Sequence, residues 1–390
     1  QEEIVNILEH SRSCALIVSS ETFGQMPSSF LATSSVKVLS LDEPSTTGEV
    51  KISILILDGT QPTSQTFEAY DNLEEEDEFL ITYTSGTTAL PKAVVHHVGN
   101  LIDNERLFTK SMGIDSEKRF YHCFSMGTLA GYHNTLMLPY ICGASVVLTK
   151  EFGPMTIRSF WDNIKEFEVN TIWFVPTIMS ILLQMDRGTT GVDYCQKNNV
   201  LSLVGTAPLP QTIRQDFEKK YHLKVYENYG LSETLFLAND YPGLSKKEGA
   251  LGEILPGIEV KILDDRAQEM PIGEKGEIYV NTPHLMKGYY QNYEQSYSNP
   301  VENGWFPTGD IGRLLDDRQI AVEDRKKDLI IRGGYNISPV AVENVLYHHP
   351  CVVECAVLGI QDDLKGEKIY ALIQTDESRK TFDEIKQELI

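Results

Sequence analysis

Short apolar runs alternate with amphipathic helical stretches along most of the chain, from about residue 13 onward. Compact apolar runs bounded by turn residues predict buried strands, and apolar positions three and four residues apart predict helices. The predicted strands are Ala15–Val18, Val36–Ser40, Phe79–Tyr83, Ser145–Leu148, Thr171–Val175 and Val200–Val204. The predicted helices are Asn100–Met112, Met155–Phe167 and Gln211–Tyr221. This alternation predicts an α/β fold with substantially parallel sheets.

The pattern changes near Gly249, where glycines begin to punctuate short β-rich runs such as Glu259–Leu263 and Glu277–Val280. Such runs predict a small barrel-like or antiparallel lobe. A last segment begins at Asp324 and predicts a small α+β domain. Its elements are a run at Asp328–Arg332, a Gly333-Gly334 turn, a helix at Val340–His348 and strands near Val352–Leu358 and Lys368–Gln374. We therefore expect a large domain over residues 1–323 and a small one over residues 324–390.

The charge balance of the chain restricts its partners. Its 390 residues include 34 basic and 56 acidic side chains, which gives a net charge of −22. A surface this acidic repels nucleic acids and anionic membranes, so we expect neither as a partner. The chain length is sufficient for two or three domains with apolar cores of their own.

The cysteines and the longest apolar stretches favour the cytoplasm. The six cysteines form no C-x-x-C pair and no zinc-site spacing, which is typical of reduced thiols in a reducing compartment. The apolar stretches at Leu136–Leu148 and Thr171–Met185 contain prolines and are shorter than the roughly 18 residues of a membrane span. No signal peptide is visible in the sequence.

A loop rich in hydroxyl groups follows the predicted strand Phe79–Tyr83 and predicts a phosphate-binding cradle. A glycine in such a loop lets the backbone approach a ligand, hydroxyls donate to anionic oxygens, and a lysine adds a positive charge. A Walker loop is excluded because its G-x-x-x-x-G-K-[ST] pattern is absent, and a plain solvated turn is the alternative. The cradle residues are Thr84, Ser85, Gly86, Thr87, Thr88 and Lys92.

Three further motifs carry groups suited to a nucleotide. The run Gly205-Thr206-Ala207-Pro208 lies between a predicted strand and a predicted helix, where a flat backbone can contact a planar group. The run Glu227-Asn228-Tyr229-Gly230-Leu231-Ser232-Glu233 offers an aromatic ring, a hydroxyl and a carboxylate suited to Mg²⁺. Asp310 follows Gly309 in a predicted turn, where its carboxylate can accept hydrogen bonds from two ribose hydroxyls. Taken alone, the first and the third of these motifs also fit an ordinary turn, whereas the second is the stronger signal.

Taken together and in this order, the motifs resemble those of the AMP-forming adenylating superfamily of acyl-CoA synthetases, adenylation domains and luciferases. The resemblance covers essentially the whole chain. It implies that the hydroxyl-rich loop binds phosphates, that Gly205–Pro208 and Glu227–Tyr229 contact adenine, and that the ring of Tyr229 stacks on the base. It also implies that Glu233, with Thr88, holds Mg²⁺, that Asp310 and Arg325 bind ribose or phosphate, and that Asp324 is a domain hinge. Because the chain is acidic overall, Lys92 and Arg325–Lys327 are the candidates for a locally basic ATP site.

Within that superfamily the sequence is closest to acyl-CoA ligases. Domains that activate α-amino acids carry an aspartate for the ammonium group, whereas the matching stretch Phe120–Leu148 has no acidic residue. An unpaired ammonium in an apolar pocket is costly, so we expect a non-amino acid as substrate. The resemblance implies that Gly333 and Gly334 line the tunnel for the thiol arm. The candidates for the acid pocket are Gly127, Trp173, Thr177, Gly205 and Leu231. Gly127 could equally be a packing adjustment, and Trp173 could simply belong to the core.

The chain departs from the superfamily pattern in the cradle and at its ends. Ala89 and Ala93 replace two glycines, and an alanine costs about 1 kcal/mol where φ must be positive. The superfamily's essential lysine lies beyond the last residue of this chain. The chain also begins and ends in predicted helices, Ile4–Ser11 and Phe382–Ile390, without an initiator Met. We therefore expect the natural protein to be longer.

The sequence thus predicts an ATP- and Mg²⁺-dependent ligase that forms an acyl-AMP and then a thioester with coenzyme A. The catalytic candidates are Thr88, Lys92, Glu233 and Arg325. One alternative is an adenylation domain that loads an acyl or aryl acid onto the phosphopantetheine of a carrier protein. Another is a binding module that holds a nucleotide without turnover.

Overall fold

The computed structural model describes residues 2–13, 15–18, 37–40, 73–84, 91–291, 297–362, 366–376 and 380–389. The chain divides into two compact units, residues 1–73 with 290–298 and residues 74–289 with 299–390. In the first unit, helix α1 (Glu2–Ser11) precedes two parallel strands, β1 (Ala15–Val18) and β2 (Lys37–Ser40). The predicted candidate site falls in the second unit, and the predicted domain boundary at Asp324 stays a prediction.

The remaining strands follow in chain order. They are β3 (Glu78–Thr84), β4 (Lys92–His97), β5 (Arg119–His122), β6 (Ser145–Leu148), β7 (Thr171–Phe174), β8 (Leu201–Val204), β9 (Val225–Leu231), β10 (Leu235–Asn239), β11 (Gly252–Ile254), β12 (Glu259–Leu263), β13 (Gly276–Asn281), β14 (Gly288–Tyr290), β15 (Tyr297–Ser298), β16 (Phe306–Leu314), β17 (Gln319–Arg325), β18 (Ile330–Arg332), β19 (Tyr335–Ile337), β20 (Val352–Asp362) and β21 (Gly366–Thr375).

The other helices surround these strands. They are α2 (Val98–Met112), a π-helix (Ala130–Met137) that continues into α3 (Leu138–Ile141), α4 (Phe160–Glu166), α5 (Pro176–Met185), α6 (Thr190–Lys197), α7 (Gln211–Tyr221), a 3₁₀ turn (Lys326–Asp328), α8 (Pro339–Leu346) and α9 (Phe382–Leu389). Among the described residues, no helix is both long enough and apolar enough to cross a membrane.

One mixed sheet organises the second unit, with the strand order β12-β13-β16-β17-β11-β10-β9-β8-β7-β5-β6. Strands β5 to β9 pair parallel with one another, and helices connect several of them. The carboxyl ends of β8 and β9 therefore lie at the same edge, next to each other, as parallel pairing requires. The prediction of an α/β fold with parallel strands is confirmed.

The parallel strands are buried on both faces. Trp173 and Leu203 belong to a core on one face of the sheet, whereas Ile172 and Phe174 belong to a core on the other face. Side chains alternate between the faces of a strand, so adjacent residues of β7 enter different cores. Because both faces are buried, β7 and β8 are mostly apolar along their length and do not alternate between polar and apolar residues.

The antiparallel strands predicted after residue 250 are present, and they belong to the same sheet as the parallel strands. The sequence predicted a small barrel-like or antiparallel lobe. In the described residues, β10, β11, β17, β16, β13 and β12 instead extend the same sheet with antiparallel pairing. The extension follows from β10, which pairs antiparallel with β9 after a tight turn and so joins the two halves.

Helix α4 begins later than predicted. The sequence predicted a helix over Met155–Phe167, whereas turns occupy the residues before Phe160. The Thr156 hydroxyl donates to the carbonyls of Glu151 and Gly153 and accepts from the Gly153 N–H. Side-chain hydrogen bonds of this kind compete with those of a helix, so the regular turns start only after them.

Two hairpins and helix α8 build the last part of the chain. Strands β18 and β19 pair antiparallel around a turn at Gly333 and Gly334, and β20 pairs with β21. Helix α8 begins after Ser338, whose hydroxyl accepts a hydrogen bond from the Ala341 N–H at 2.8 Å. A serine in this position satisfies one of the free N–H groups of the first helical turn.

Candidate active site

The two ends of the predicted cradle lie opposite each other across a hairpin. Strand β3 ends at Thr84 and β4 begins at Lys92, and these two residues are partners in the antiparallel register. The Thr84 hydroxyl donates to the Lys92 carbonyl at 3.4 Å. Lys92 is exposed. The predicted cradle residues Ser85, Gly86, Thr87 and Thr88 lie outside the described residues, as does Ala89.

The segment after β8 contacts the segment in β9 closely. Asn228 donates through its side-chain amide to the Val204 carbonyl at 2.6 Å. A Cβ on Gly205 would collide with the Asn228 side-chain amide, so any larger residue would displace that amide from its hydrogen bond. Thr206 has a φ of +73°, and Thr206, Ala207 and Pro208 are exposed. The structure therefore brings the two segments predicted to contact adenine together at one edge of the sheet.

Glu227, predicted among the adenine-binding residues, lies in a cluster of charged side chains. Its carboxylate accepts from Arg214, and the Lys246 ammonium lies 3.5 Å away. Asp240 joins the cluster at 2.9 Å from Lys246. Burial raises the pKa of Glu227, while Arg214 and Lys246 act in the opposite direction. The Glu227 side chain thus contacts other side chains of the protein rather than open space.

Asp310 lies between Tyr229 and Arg325. One carboxylate oxygen accepts from the Tyr229 hydroxyl at 2.7 Å, and the other lies 2.8 Å from Nε of Arg325. Asp310 is 3% exposed, whereas the Arg325 side chain is 48% exposed. Burial raises the pKa of the Asp310 carboxyl, and Arg325 counteracts that shift. The ring of Tyr229, predicted to stack on a base, is buried with its hydroxyl on Asp310.

Glu233 lies in the turn between β9 and β10 and is bound by a residue that the sequence did not single out. The hydroxyl of Tyr289 donates to a Glu233 carboxylate oxygen at 2.7 Å. The Lys92 ammonium lies 4.7 Å from the centre of the Tyr289 ring. No local pattern pointed to Tyr289, because its partners are far away along the chain.

His96 supports the same turn from β4. Its imidazole is fully buried, and Nε2 lies 2.6 Å from the Ser232 carbonyl oxygen. Burial lowers the pKa of His96 to about 4, so the ring is neutral near pH 7 and donates through Nε2. The predicted binding residue Ser232 is thereby fixed through its backbone, next to Glu233.

The residues present fit a nucleotide-bound metal ion. In the described ranges, no group of three or more His, Cys, Asp or Glu side chains could hold a metal alone. Mg²⁺ in nucleotide sites is usually held by one or two carboxylates together with substrate phosphates. Glu233 is only partly buried and carries a carboxylate of this kind. Thr88, the other predicted ligand, lies outside the described residues.

The candidates for the acid pocket fall in different environments. Gly127 and Thr177 are exposed, and Leu231 is buried at the end of β9. Trp173 is fully buried, with its ring centre 5.7 Å from those of both Phe108 and Phe236. Trp173 therefore packs in the core, the alternative that the sequence left open.

The predicted hinge and thiol-tunnel residues have specific geometry. The Ser338 hydroxyl donates to the Asp324 carboxylate at 2.9 Å, which ties β17 to the start of α8. Gly333 and Gly334 have φ values of +60° and +86°, which side chains rarely adopt. Two consecutive glycines are therefore required by the turn itself, and their predicted role at the tunnel stays a prediction.

A buried acid near the π-helix was not foreseen from the sequence. Glu105 of α2 is 0% exposed, and one carboxyl oxygen lies 3.3 Å from Nε2 of His133. Burial raises the pKa of Glu105 to about 9 and lowers the pKa of His133 to about 4. Both groups are therefore neutral near pH 7, and the contact is not an ion pair. The sequence offered only an isolated glutamate in an amphipathic helix.

Comparison with known proteins identifies the family. The sequence profile of the AMP-binding enzyme family matches residues 1–290, and that of the AMP-binding enzyme C-terminal domain matches residues 341–390. The chain belongs to the AMP-binding enzyme family. The resemblance inferred from the ordered motifs is thus confirmed.

Among its relatives is the malonate–CoA ligase of Arabidopsis thaliana, 30% identical over 329 residues, which cover 80% of this chain and 54% of that protein. The 2-succinylbenzoate–CoA ligase of Bacillus licheniformis is 33% identical over 308 residues, which cover 78% of this chain and 62% of that protein. The chain therefore spans between half and two thirds of the length of these curated relatives.

Solved structures share the fold. ATP-bound MatB from Rhodopseudomonas palustris has a TM-score of 0.81 at 24% identity, covering 97% of this chain and 72% of that one. A benzoate CoA ligase from Burkholderia xenovorans has a TM-score of 0.78 at 21% identity, covering 100% of this chain and 74% of that one. Likeness at this level of identity establishes the α/β architecture.

Proposed function

We propose that the protein is an AMP-forming acid–thiol ligase that activates a non-amino carboxylic acid with ATP and transfers the acyl group to coenzyme A. In the first step, a carboxylate oxygen of the acid attacks the α-phosphorus of ATP, and pyrophosphate leaves. In the second step, the thiol sulfur attacks the acyl carbon, and AMP leaves as the C–O bond breaks. The thiol proton passes to solvent.

The placement of Asp310 carries this proposal. A buried carboxylate held between a tyrosine hydroxyl and an arginine is fixed in orientation, and an exposed Arg325 beside it provides the positive charge for a phosphate. A carboxylate of this kind can accept hydrogen bonds from both hydroxyls of a ribose. Asp310 and Arg325 would then hold the nucleoside end of ATP.

Glu233 and Lys92 would bind the phosphate end of ATP. Glu233 would hold Mg²⁺, which when bound neutralises charge on the phosphate oxygens. Lys92, at the end of the predicted cradle, would add a second positive charge where negative charge develops. Little covalent chemistry falls to the protein, so positioning and charge neutralisation account for its contribution to catalysis.

The choice of acid and thiol rests on two observations. The stretch Phe120–Leu148 has no acidic residue, and the nearby buried Glu105 is neutral, so neither provides a countercharge for an ammonium group. Two curated relatives are named as CoA ligases, which supports coenzyme A as the thiol.

Pyrophosphate exchange on the full-length natural protein tests the proposal. A panel of aliphatic, aromatic and dicarboxylic acids is assayed for acid-dependent exchange into ATP, and AMP release is measured with and without coenzyme A. We expect exchange with at least one acid and AMP release that requires coenzyme A. Exchange without CoA-dependent AMP release, restored by a phosphopantetheinylated carrier protein, would favour a carrier-loading domain. ATP binding without exchange for any acid would favour a binding module.

A further inference from the structure

Tyr289 contacts two predicted site residues that are distant from each other in the sequence. Its hydroxyl donates to Glu233 at 2.7 Å, and its ring lies 4.7 Å from the Lys92 ammonium. Glu233 is the predicted Mg²⁺ ligand, and Lys92 is the predicted phosphate lysine. Among the described residues, Tyr289 is therefore the side chain that joins the metal end of the site to the cradle.

The backbone around Tyr289 is anchored to both of these regions. The Met286 N–H donates to the Glu233 carbonyl at 2.8 Å, and the Lys287 N–H donates to the Val95 carbonyl at 2.8 Å. Strand β14, which contains Tyr289, extends the β3–β4 hairpin on the side of β4. The position of the tyrosine ring is therefore set by the fold before any ligand binds.

The two contacts have different physical effects. A hydroxyl that donates to one carboxylate oxygen fixes the rotation of the carboxylate and directs the other oxygen elsewhere. The face of an aromatic ring attracts an ammonium group and limits the space that a long exposed side chain samples.

We infer that Tyr289 is a positioning residue for the proposed reaction, which orients Glu233 toward the nucleotide-bound metal ion and holds Lys92 beside the phosphates. This inference rests on the proposed function, because it assumes that a metal–nucleotide complex binds at Glu233. Tyr289 itself touches neither the reacting carboxylate nor the α-phosphorus.

Two substitutions separate the hydroxyl from the ring. Tyr289→Phe removes the hydroxyl and keeps the ring, whereas Tyr289→Leu removes both. Tyr241→Phe is the matched control, because the Tyr241 hydroxyl also donates to a carboxylate, that of Glu253 at 3.2 Å, away from Glu233 and Lys92. Glu233→Gln provides the reference for complete loss of the metal carboxylate.

The readout is binding rather than turnover. Mn²⁺ affinity is measured by the electron paramagnetic resonance signal of free Mn²⁺ in the presence of a non-hydrolysable ATP analogue. Calorimetry gives the affinity for the analogue without metal. We expect Tyr289→Phe to weaken Mn²⁺ binding about 10-fold, as the loss of a hydrogen bond to a metal ligand commonly does, and to leave metal-free nucleotide binding unchanged.

Tyr289→Leu should also weaken metal-free nucleotide binding several-fold, because Lys92 loses its ring contact. Adding Tyr289→Phe to Glu233→Gln should cause little further loss of Mn²⁺ affinity, since both changes act through one carboxylate. Equal Mn²⁺ affinity in Tyr289→Phe, Tyr241→Phe and the unmodified protein would overturn the inference and leave the proposed function standing. Absence of Mn²⁺–nucleotide binding in the unmodified protein would overturn both.

Discussion

Asp310 and Arg325 are partners in the register of two neighbouring antiparallel strands, and Nε of Arg325 lies 2.8 Å from a carboxylate oxygen of Asp310. The carboxylate is buried, and the guanidinium is half exposed. The pair therefore presents a fixed acceptor and a fixed positive charge side by side. The cross-strand register places the two side chains opposite each other, and the contact between them fixes both.

Replacing Asp310 by asparagine should weaken nucleotide binding. The change keeps the size of the side chain but removes the charge that Arg325 and the Tyr229 hydroxyl both use. Hydrogen bonds to charged groups contribute about 1.5–3 kcal/mol, so we expect AMP affinity to fall about 10- to 100-fold by calorimetry. Asp316→Asn is the control, because Asp316 pairs with Lys247 elsewhere on the surface. Equal losses in both variants would contradict a specific role for Asp310.

A methyl group at position 205 should disturb the contact between the two segments predicted to bind adenine. The Cβ of Gly205→Ala would collide with Asn228, whose amide already bonds to the Val204 carbonyl. Overpacking of this kind costs about 1–3 kcal/mol, so we expect a lower melting temperature and weaker AMP binding. Gly153→Ala serves as the control, because a Cβ at Gly153 meets open space. Wild-type AMP affinity in Gly205→Ala would exclude this contact from the binding site.

Alanine at position 127 should alter the choice of acid without altering the fold. A Cβ at Gly127 would meet only the Ser125 hydroxyl, at an ordinary 3.7 Å, so the backbone tolerates the change. If Gly127 lines the acid pocket, an added methyl group raises KM for bulky acids about 10-fold relative to small ones. The measurement is KM across an acid series at saturating ATP. A uniform change across the series would remove Gly127 from the pocket wall.

We expect the buried Glu105 to make the protein less stable as the pH rises from 4.5 toward 9. Its folded pKa of about 9 lies above the usual 4.5, so the unfolded chain loses this proton while the folded chain retains it. Stability from this group is complete below pH 4.5 and falls by about 1.4 kcal/mol per pH unit up to pH 9. His96 and His133, with pKa values of about 4, act in the opposite sense, but only below pH 6.5.

Glu105→Gln isolates this effect. Urea unfolding at pH 6.5 and pH 8.5 should show a loss of about 2–3 kcal/mol in the unmodified protein that is absent in the variant. His133, which lies 3.3 Å from Glu105, is already neutral across that interval. Tyr132 and Cys142 also interact electrostatically with Glu105, and burial raises the pKa of both above the usual range. Parallel pH profiles for the two proteins would show that the Glu105 carboxyl ionises normally.

Ser338→Ala should loosen the start of helix α8. The Ser338 hydroxyl caps the helix through the Ala341 N–H and also donates to Asp324. Loss of a serine cap costs about 1 kcal/mol, which corresponds to roughly fivefold faster amide hydrogen exchange in the first turn. Ser338→Asn retains a capping oxygen and should exchange at nearly the original rate. Unchanged exchange in Ser338→Ala would mean that packing against β20 and β17 holds the helix without the cap.

The sequence was most informative where the structural signal is local. The helix over Gln211–Tyr221 has the predicted bounds, because its apolar spacing and its flanking residues lie within a few turns. Helix α4 was predicted too long because the hydroxyl of Thr156 bonds to the backbone of its own turn. The antiparallel strands were predicted, but their continuity with the parallel sheet depends on the pairing of β10 with β9.

The residues of the candidate site also divide into those with a local sequence signal and those that depend on long-range packing. The ordered motifs indicated Tyr229, Glu233 and Asp310 because the residue types of an adenylating site recur in a fixed order. Tyr289 and Glu105 gave no such signal, since each acquires its partner through long-range packing rather than through neighbours in the sequence. Trp173 shows the reverse case, because a large aromatic residue in a strand fits a pocket wall and a core equally well.

The continuous strand order from β6 to β12 has a mechanical consequence. Sliding the parallel half of the sheet past the antiparallel half would break all the β9–β10 hydrogen bonds at once. The two halves therefore resist shear as one sheet. Strand β9 is thus linked through β10 and β11 to β17, the strand that ends at Arg325. The sheet is therefore the stiff part of this unit, and the turns and edge hairpins are the parts that can deform.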